Sequence, residues 1–406
     1  MAWELGGGMG HVVPLTQIGR VLIERGHELH LVLRDLSGIR QTLGDLHGHP
    51  RLRLWQAPVW LPRLPGMPPP VSYAELLFHA GYLDPGRLAS LVAAWASVLA
   101  AIQPSLLVAD HAPTALLASR LDVAPPMRRA LLGTGFFLPP AQAPIPAFRE
   151  WERIDPRRAA ASEARALQCV NAVLAEGGAA PLAALHGLVA ADESFLLTWP
   201  ELDHYSPGPQ GRPGARYWGA LPARVQGEPA RWPANAGANA GRVFAYLKAD
   251  HAAVEAVLAQ LAAAPFATLA YVPGLAAATR QRLAGPRLVF ATQAVAMDSA
   301  LATADSVVCN AGSGTVCTAL QAGVPVVMLP MHAEQMLFAR RTAATGAGIL
   351  VLDGDVARQL VPAVTAQLGA SAARDAARAL AARHGQATYG DVLVRVAERC
   401  EALAAG

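Results

Sequence analysis

Lysine is almost absent from this chain: Lys248 is the only one, and arginine carries the rest of the positive charge. The composition of a GC-rich genome accounts for this and for the excess of alanine. Charged residues make up only 16% and aromatics 6%. With a net charge of +3 and no aromatics interleaved with basic runs, the chain lacks the electrostatic footprint of a nucleic-acid binder. Cysteine is sparse. Cys169, Cys309, Cys317 and Cys400 have no short spacing of the zinc or redox kind, so reduced structural thiols in a cytoplasmic protein are expected. No paired-carboxylate motif lies at a strand end, and no metal is expected. Long apolar runs are missing too. Two uncharged stretches, 88–109 and 306–333, are broken by Pro104 and by glycines with Pro325. Neither offers the ~20 continuous apolar residues of a transmembrane helix. Glu4 and the glycines after it interrupt the N-terminus, which argues against a signal peptide.

What is present is apolar and periodic. The 406 residues, 53% of them apolar, are enough for two or three domains of a class with buried parallel strands. The first half reads as strands at 2–5, 29–33, 52–55, 106–109, 131–133 and 195–198. Among its helices are one to about Arg25, capped by Gly26, one at 114–121 and one at 156–174. Residues 206–240 are rich in Gly, Pro, Ala and Asn, which is linker chemistry. The second half alternates plainly, with strands at 243–247, 267–271, 288–290, 306–309, 324–329 and 348–351. Such alternation predicts an α/β fold with parallel sheets and helices on both faces. The domains are placed at 1–220 and 242–390, with a linker at 221–241 and a terminal helix, 391–406, packing back on the first.

The most informative run begins at Cys309. An apolar strand leads through Asn310, Ala311 and Gly312 into a helix with Ser313, Gly314 and Thr315 in its first turn. Free backbone N–H groups and the positive end of the helix dipole then converge on one spot, an anion site. A second apolar strand ends at Pro330, and Glu334 and Gln335 follow in the next loop. In an open parallel sheet both loops belong to the ligand-binding, carboxyl end of the strands.

A second constellation lies near the N-terminus. His11 follows a turn, Gly6-Gly7-Gly8-Met9-Gly10, at a helix start, with room for a substrate beside it. Its near-neutral pKa suits it to take a proton from a hydroxyl. The plain alternative is a histidine bonded to its own turn. Asp110 ends a strand and is the natural orienter of that imidazole, or a cap for the following helix. Gly6 and Gly8 with Asp35 imitate a dinucleotide fingerprint, but His11 occupies the place of the third glycine. Lys248 follows the first strand of the second half and is either a phosphate contact or a solvated surface residue. Trp55, Trp60, Phe78, Tyr82, Phe136 and Phe137 gather in N-terminal loops, as core or as the wall of an apolar pocket.

The run Asn310-Ala311-Gly312-Ser313-Gly314-Thr315, Ala319-Leu320, Gly323-Val324-Pro325, Pro330, Glu334-Gln335 resembles the donor-binding signature of family 1 glycosyltransferases. Gly10-His11-Val12-Val13-Pro14 resembles that family's N-terminal motif, and 104–115 is similar as well. Asn310 stands where the family has histidine and Ala311 where it has glycine. The resemblance implies a GT-B fold, two Rossmann-like parallel-sheet domains facing a cleft. It implies an inverting glycosyltransferase that moves a sugar from a UDP-sugar or dTDP-sugar to a hydroxyl of a small, largely apolar acceptor, without metal or other cofactor. His11 would be the base and Asp110 its support. Asn310, Gly312, Ser313, Gly314 and Thr315 would hold the donor with Glu334, Gln335 and Lys248. The nucleotide base would pack on Val295 and Met297, because the family's tryptophan is missing there. Gly8, Trp60, Phe78 and Phe136 would meet the acceptor. The expected partners are donor and acceptor alone, with the chain a monomer or weak homodimer. Two other readings stand beside this one: a catalytically silent nucleotide-sugar binder, and a membrane-surface transferase using a lipid-linked acceptor. Related chains carry several more apolar residues at the first strand, which predicts a short strand here or a misplaced start codon.

Overall fold

The computed structural model describes residues 1–62, 64–122, 124–206, 208–221, 227–234, 241–385 and 389–406. Two compact units emerge. Met1–Pro207, Gly211–Gly219 and Tyr389–Gly406 form the first, and Gly208–Gln210 with Ala220–Thr388 the second.

The first unit is built on six strands: β1 (Ala2–Trp3), β2 (Leu29–Leu33), β3 (Leu52–Gln56), β4 (Leu106–Asp110), β5 (Arg128–Gly133) and β6 (Glu193–Leu196). They lie in the order β3-β2-β1-β4-β5-β6, every pair parallel. The second repeats the plan with β7 (Arg242–Tyr246), β8 (Ala267–Tyr271), β9 (Leu288–Phe290), β10 (Ser306–Cys309), β11 (Val326–Met328) and β12 (Gly348–Leu350). Its order is β12-β11-β10-β7-β8-β9, again all parallel. Both are doubly wound sheets, and each reverses direction once, between β1 and β4 and between β10 and β7. Ligands of such sheets bind beyond the strand ends at that reversal. The central strands are nearly continuous apolar runs because helices cover both faces. All four residues of β10 are buried.

β1 holds only two residues, shorter than the four read from the sequence. It still pairs on both sides, Ala2 with Val32 and Ala109, Trp3 with Leu33 and Asp110. The next helix, Met9–Glu24, buries Leu15, Ile18 and Leu22. It ends where Gly26 adopts φ 97°, and His27 N–H bonds Leu22 C=O at 3.0 Å, a glycine-dependent stop.

Helix Pro85–Ile102 is the one described helix long and apolar enough to cross a membrane. Its Leu88, Val92, Trp95 and Leu99, at helical spacing, are buried in the first unit's core. The last helix, Tyr389–Ala404, belongs to the first unit and packs along Met9–Glu24. Val392, Val396, Ala397 and Cys400 are buried, while Glu401 meets Arg25 at 2.7 Å and His27 at 2.8 Å. Exposed pairs of this kind contribute little, so the apolar stripe carries the docking.

Of the stretch 221–241 read as linker, residues 222–226 and 235–240 lie outside the described ones. The described part is tied to the second unit. Glu228 bridges Val295, and Trp232 donates to Thr303 Oγ1 at 3.0 Å.

Candidate active site

At the reversal of the first sheet the chain leaves β1 through Gly6, at φ 87°, and Gly8, at φ 86°, and enters helix Met9–Glu24 with His11 in its first turn. A Cβ on Gly6 would lie 2.5 Å from His11 Nε2, so only glycine leaves room for the ring. Trp3 stacks on the other side, with centroids 5.5 Å apart and planes 16° from parallel. Parallel pairing places Asp110, the last residue of β4, beside Trp3. His11 Nδ1 and Asp110 Oδ1 are then 2.9 Å apart. Both side chains are largely buried. Burial pushes the Asp110 carboxyl up, and the facing His11 opposes that rise. With Nδ1–H donating to the carboxylate, Nε2 is the nitrogen able to accept a proton.

The expected acceptor residues separate. Gly8 caps the helix with open space where a Cβ would be. Trp60 is partly exposed and lies on Gly81, with Arg87 over its ring at 5.8 Å. Phe78 and Phe136 do not line a surface. Both are buried, Phe136 against Phe148 and His204, and Phe78 at the end of helix Tyr73–Phe78 rather than in the expected loop. Of the loop aromatics, Phe137 reaches His11, tilted against it at 5.5 Å. Trp3, His111 and Glu4 also belong to this region without having been singled out by their sequence pattern, whereas Phe137 is among the aromatics expected as core or as a pocket wall. Glu4 is fully buried and takes the Thr114 N–H at 2.9 Å, and burial pushes its carboxyl up to about 7.

At the reversal of the second sheet, Asn310 follows β10. Its Oδ1 accepts from Lys248 N–H at 2.8 Å and its Nδ2 donates to Leu329 C=O at 3.0 Å. One amide thus ties the ends of β7, β10 and β11, and it is committed to backbone rather than turned to a ligand. Ala311 sits at φ 56°, the left-handed region that favours glycine. Gly312 then caps helix Ser313–Gln321 with no side-chain bond to the first N–H groups. Ser313 and Gly314 are half-buried and Thr315 is nearly buried. The Lys248 side chain is exposed. Helix Ala333–Ala344 follows β11, so Glu334 and Gln335 lie in its first turn rather than in a loop. Glu334 is half-buried, and Gln335 folds back so that its Oε1 accepts from Met331 N–H at 2.8 Å. Val295 and Met297 are each only 4% exposed, because the Glu228 bridge draws their segment inward. Among the described residues no group of three or more His, Cys, Asp or Glu is placed to hold a metal ion.

The family model for the C-terminal domain of erythromycin biosynthesis protein CIII-like proteins matches residues 272–403. The glycotransferase of kitacinnamycin superposes with a TM-score of 0.70 at 19% identity, covering 99% of this chain and 98% of that one. The Streptomyces sp. SF2575 glycosyltransferase SsfS6, complexed with thymidine diphosphate, gives a TM-score of 0.62 at 18% identity over 98% and 99%. A curated relative, the UDP-N-acetylglucosamine--N-acetylmuramyl-(pentapeptide) pyrophosphoryl-undecaprenol N-acetylglucosamine transferase of Rhodococcus opacus (strain B4), is 38% identical over 80 residues. That match covers 19% of this chain and 21% of the relative, so the chain spans about a fifth of the curated protein's length. Two like sheets and near-complete structural coverage give this chain the GT-B fold of those glycosyltransferases. Within that fold, residues 272–403 are the part similar to the EryCIII-like C-terminal domain.

Proposed function

We propose that this chain transfers a sugar from a dTDP-sugar or UDP-sugar to a hydroxyl of a small, largely apolar acceptor, with inversion at the anomeric carbon. The observation that carries the reading is the buried His11–Asp110 pair at the reversal of the first sheet. His11 Nε2 takes the acceptor's hydroxyl proton as the oxygen attacks the anomeric carbon. The bond from that carbon to the diphosphate breaks on the opposite face, and the electron pair leaves with the nucleoside diphosphate. Asp110 stabilises the imidazolium that forms. The growing diphosphate charge is met by the uncapped N–H groups of Ser313, Gly314 and Thr315 and by the helix dipole, so no metal is required by this chemistry. Glu334 would hold a sugar hydroxyl, and Asn310 and Gln335 would set the loops around it. SsfS6 with thymidine diphosphate supports a dTDP donor, and the name of the curated relative supports UDP. Four buried free cysteines suit the cytoplasm.

Leu61, 81% exposed beside Trp60, and the curated relative's undecaprenol acceptor favour a second reading, a lipid-linked acceptor at a membrane surface. Sedimentation with anionic vesicles separates the two. Calorimetry with dTDP and UDP, followed by nucleotide release from their sugars over an acceptor panel, tests the function. His11→Ala should bind donor normally and lose roughly a hundredfold or more in kcat. Donor binding without release by the wild type would leave a silent binding protein. Near-full turnover of the variant would remove His11 as the base.

A further inference from the structure

Glu4 touches nothing in the chemistry above, yet it is a carboxyl kept fully inside the first unit, one residue past β1. Arg34, Tyr73 and Tyr82 are the ionisable side chains that feel its charge. Its Oε2 accepts the Thr114 N–H at 2.9 Å, 110 residues further along the chain. Thr114 lies in the first turn of helix Pro113–Ala118, whose cap residue Ala112 has no side chain able to accept that bond. The Thr114 hydroxyl is itself fixed by the Tyr82 hydroxyl at 3.0 Å. Two backbone contacts complete the hold. Leu5 N–H donates to His111 C=O at 3.0 Å, and Arg34 Nη1 donates to Glu4 C=O at 3.1 Å. The parallel ladder between β1 and β4 ends at Trp3 and Asp110. Just beyond it His111 takes φ 44°, a conformation that costs a residue with a Cβ and persists where the surroundings impose it. Glu4 and Leu5 grip that turn at both ends, at Thr114 and at His111. An apolar side chain would fill the same space without the grip, and burying a carboxyl is the costlier choice.

We propose that Glu4 is a positioning residue. By holding Thr114 it fixes the turn after β4, and so keeps the Asp110 carboxylate on His11 Nδ1 and leaves Nε2 to the acceptor. It works through Asp110 and meets neither substrate. This rests on the reading of His11 as the acceptor's base.

The readout is the titration of the His11 imidazole, followed by NMR of the histidine-labelled whole chain and assigned with His11→Ala, beside kcat and the Kd for dTDP and UDP. Asp110 stabilises the charged ring, so a loosened partner lowers the pH at which the ring titrates. Glu4→Leu should move that titration down by about one pH unit and cut kcat about tenfold, with nucleotide Kd unchanged. Glu4→Gln keeps an acceptor and should recover most of both. Glu4→Asp, one methylene too short to reach Thr114, should behave as Glu4→Leu does, and it serves if that variant does not fold. Leu99→Ala, a cavity in the same core, should lower the melting temperature and leave the His11 titration in place. An unmoved His11 titration in folded Glu4→Leu or Glu4→Asp, an equal shift in Leu99→Ala, or no recovery in Glu4→Gln overturns the proposal. If His11→Ala released nucleotide at the wild-type rate while Glu4→Leu still moved the His11 titration, the base assignment would fall and the positioning role would stand.

Discussion

The two sheet reversals share one topology and do different work. At the first, the proposed chemistry rests on side chains. His11 and Asp110, 99 residues apart in sequence, meet because β1 and β4 pair in parallel. At the second the proposal rests on backbone, the uncapped N–H groups after Gly312, with Asn310 spent on fixing the strand ends. Each reversal places a residue with a Cβ in the left-handed region just past its fourth strand, His111 in one and Ala311 in the other. Side-chain chemistry tolerates little substitution. Backbone chemistry tolerates much, provided the turn keeps its shape, which explains how a motif can exchange histidine for Asn310 and glycine for Ala311.

The sharpest way to break this contrast is Asp110→Asn. The amide keeps the shape and loses the charge that supports an imidazolium, so kcat should fall about a hundredfold with donor Kd unchanged. A loss under tenfold in steady-state kinetics would make the pair structural.

Glu4→Gln probes the same reversal from behind. The Glu4 carboxyl is raised by burial to about 7, so the folded chain keeps a proton that the unfolded chain releases near 4.5. Its contribution to stability is complete below that lower value and is lost as pH rises through about 7. Denaturant midpoints should therefore fall between pH 4.5 and 7 in wild type and less so in Glu4→Gln, a difference on the order of 2 kcal/mol at pH 8. Identical pH profiles would mean that Glu4 ionises freely.

The smallest effect belongs to the second reversal. Ala311→Gly relieves the left-handed strain and adds some chain entropy to the unfolded state, for a net gain of up to about 1 kcal/mol. Urea unfolding and donor calorimetry on one preparation check it: stability should rise and donor affinity stay. A marked loss of affinity would show that the alanine methyl takes part in binding.

Much of this was legible beforehand. Alternating apolar runs and glycine turns located the strands of the second half within two residues, and Ser306–Cys309 to the residue. The orienting of His11 by Asp110 was legible because a strand-end acid and a helix-start histidine are each placed by local patterning. What failed was anything decided by burial. Phe78, Phe136, Val295 and Met297 read alike in sequence whether they face solvent or the core, and only packing separates them from Phe137. The commitment of Asn310 to Lys248 and Leu329 depends on three strand ends converging, which no local pattern records.

The helix Tyr389–Ala404 has a consequence for how the molecule is born. The ribosome makes nearly all of the first unit at the outset but delivers its last helix only after Ala220–Thr388 has been made. The unit encoded first is therefore closed last, and the flank of Met9–Glu24 waits uncovered through the synthesis of an entire neighbour. The second unit is almost continuous in sequence and can mature as it emerges, whereas closing the first is a contact of very long sequence separation, the slow kind. During that interval it is the first unit, with His11 and Asp110, that stays incompletely packed.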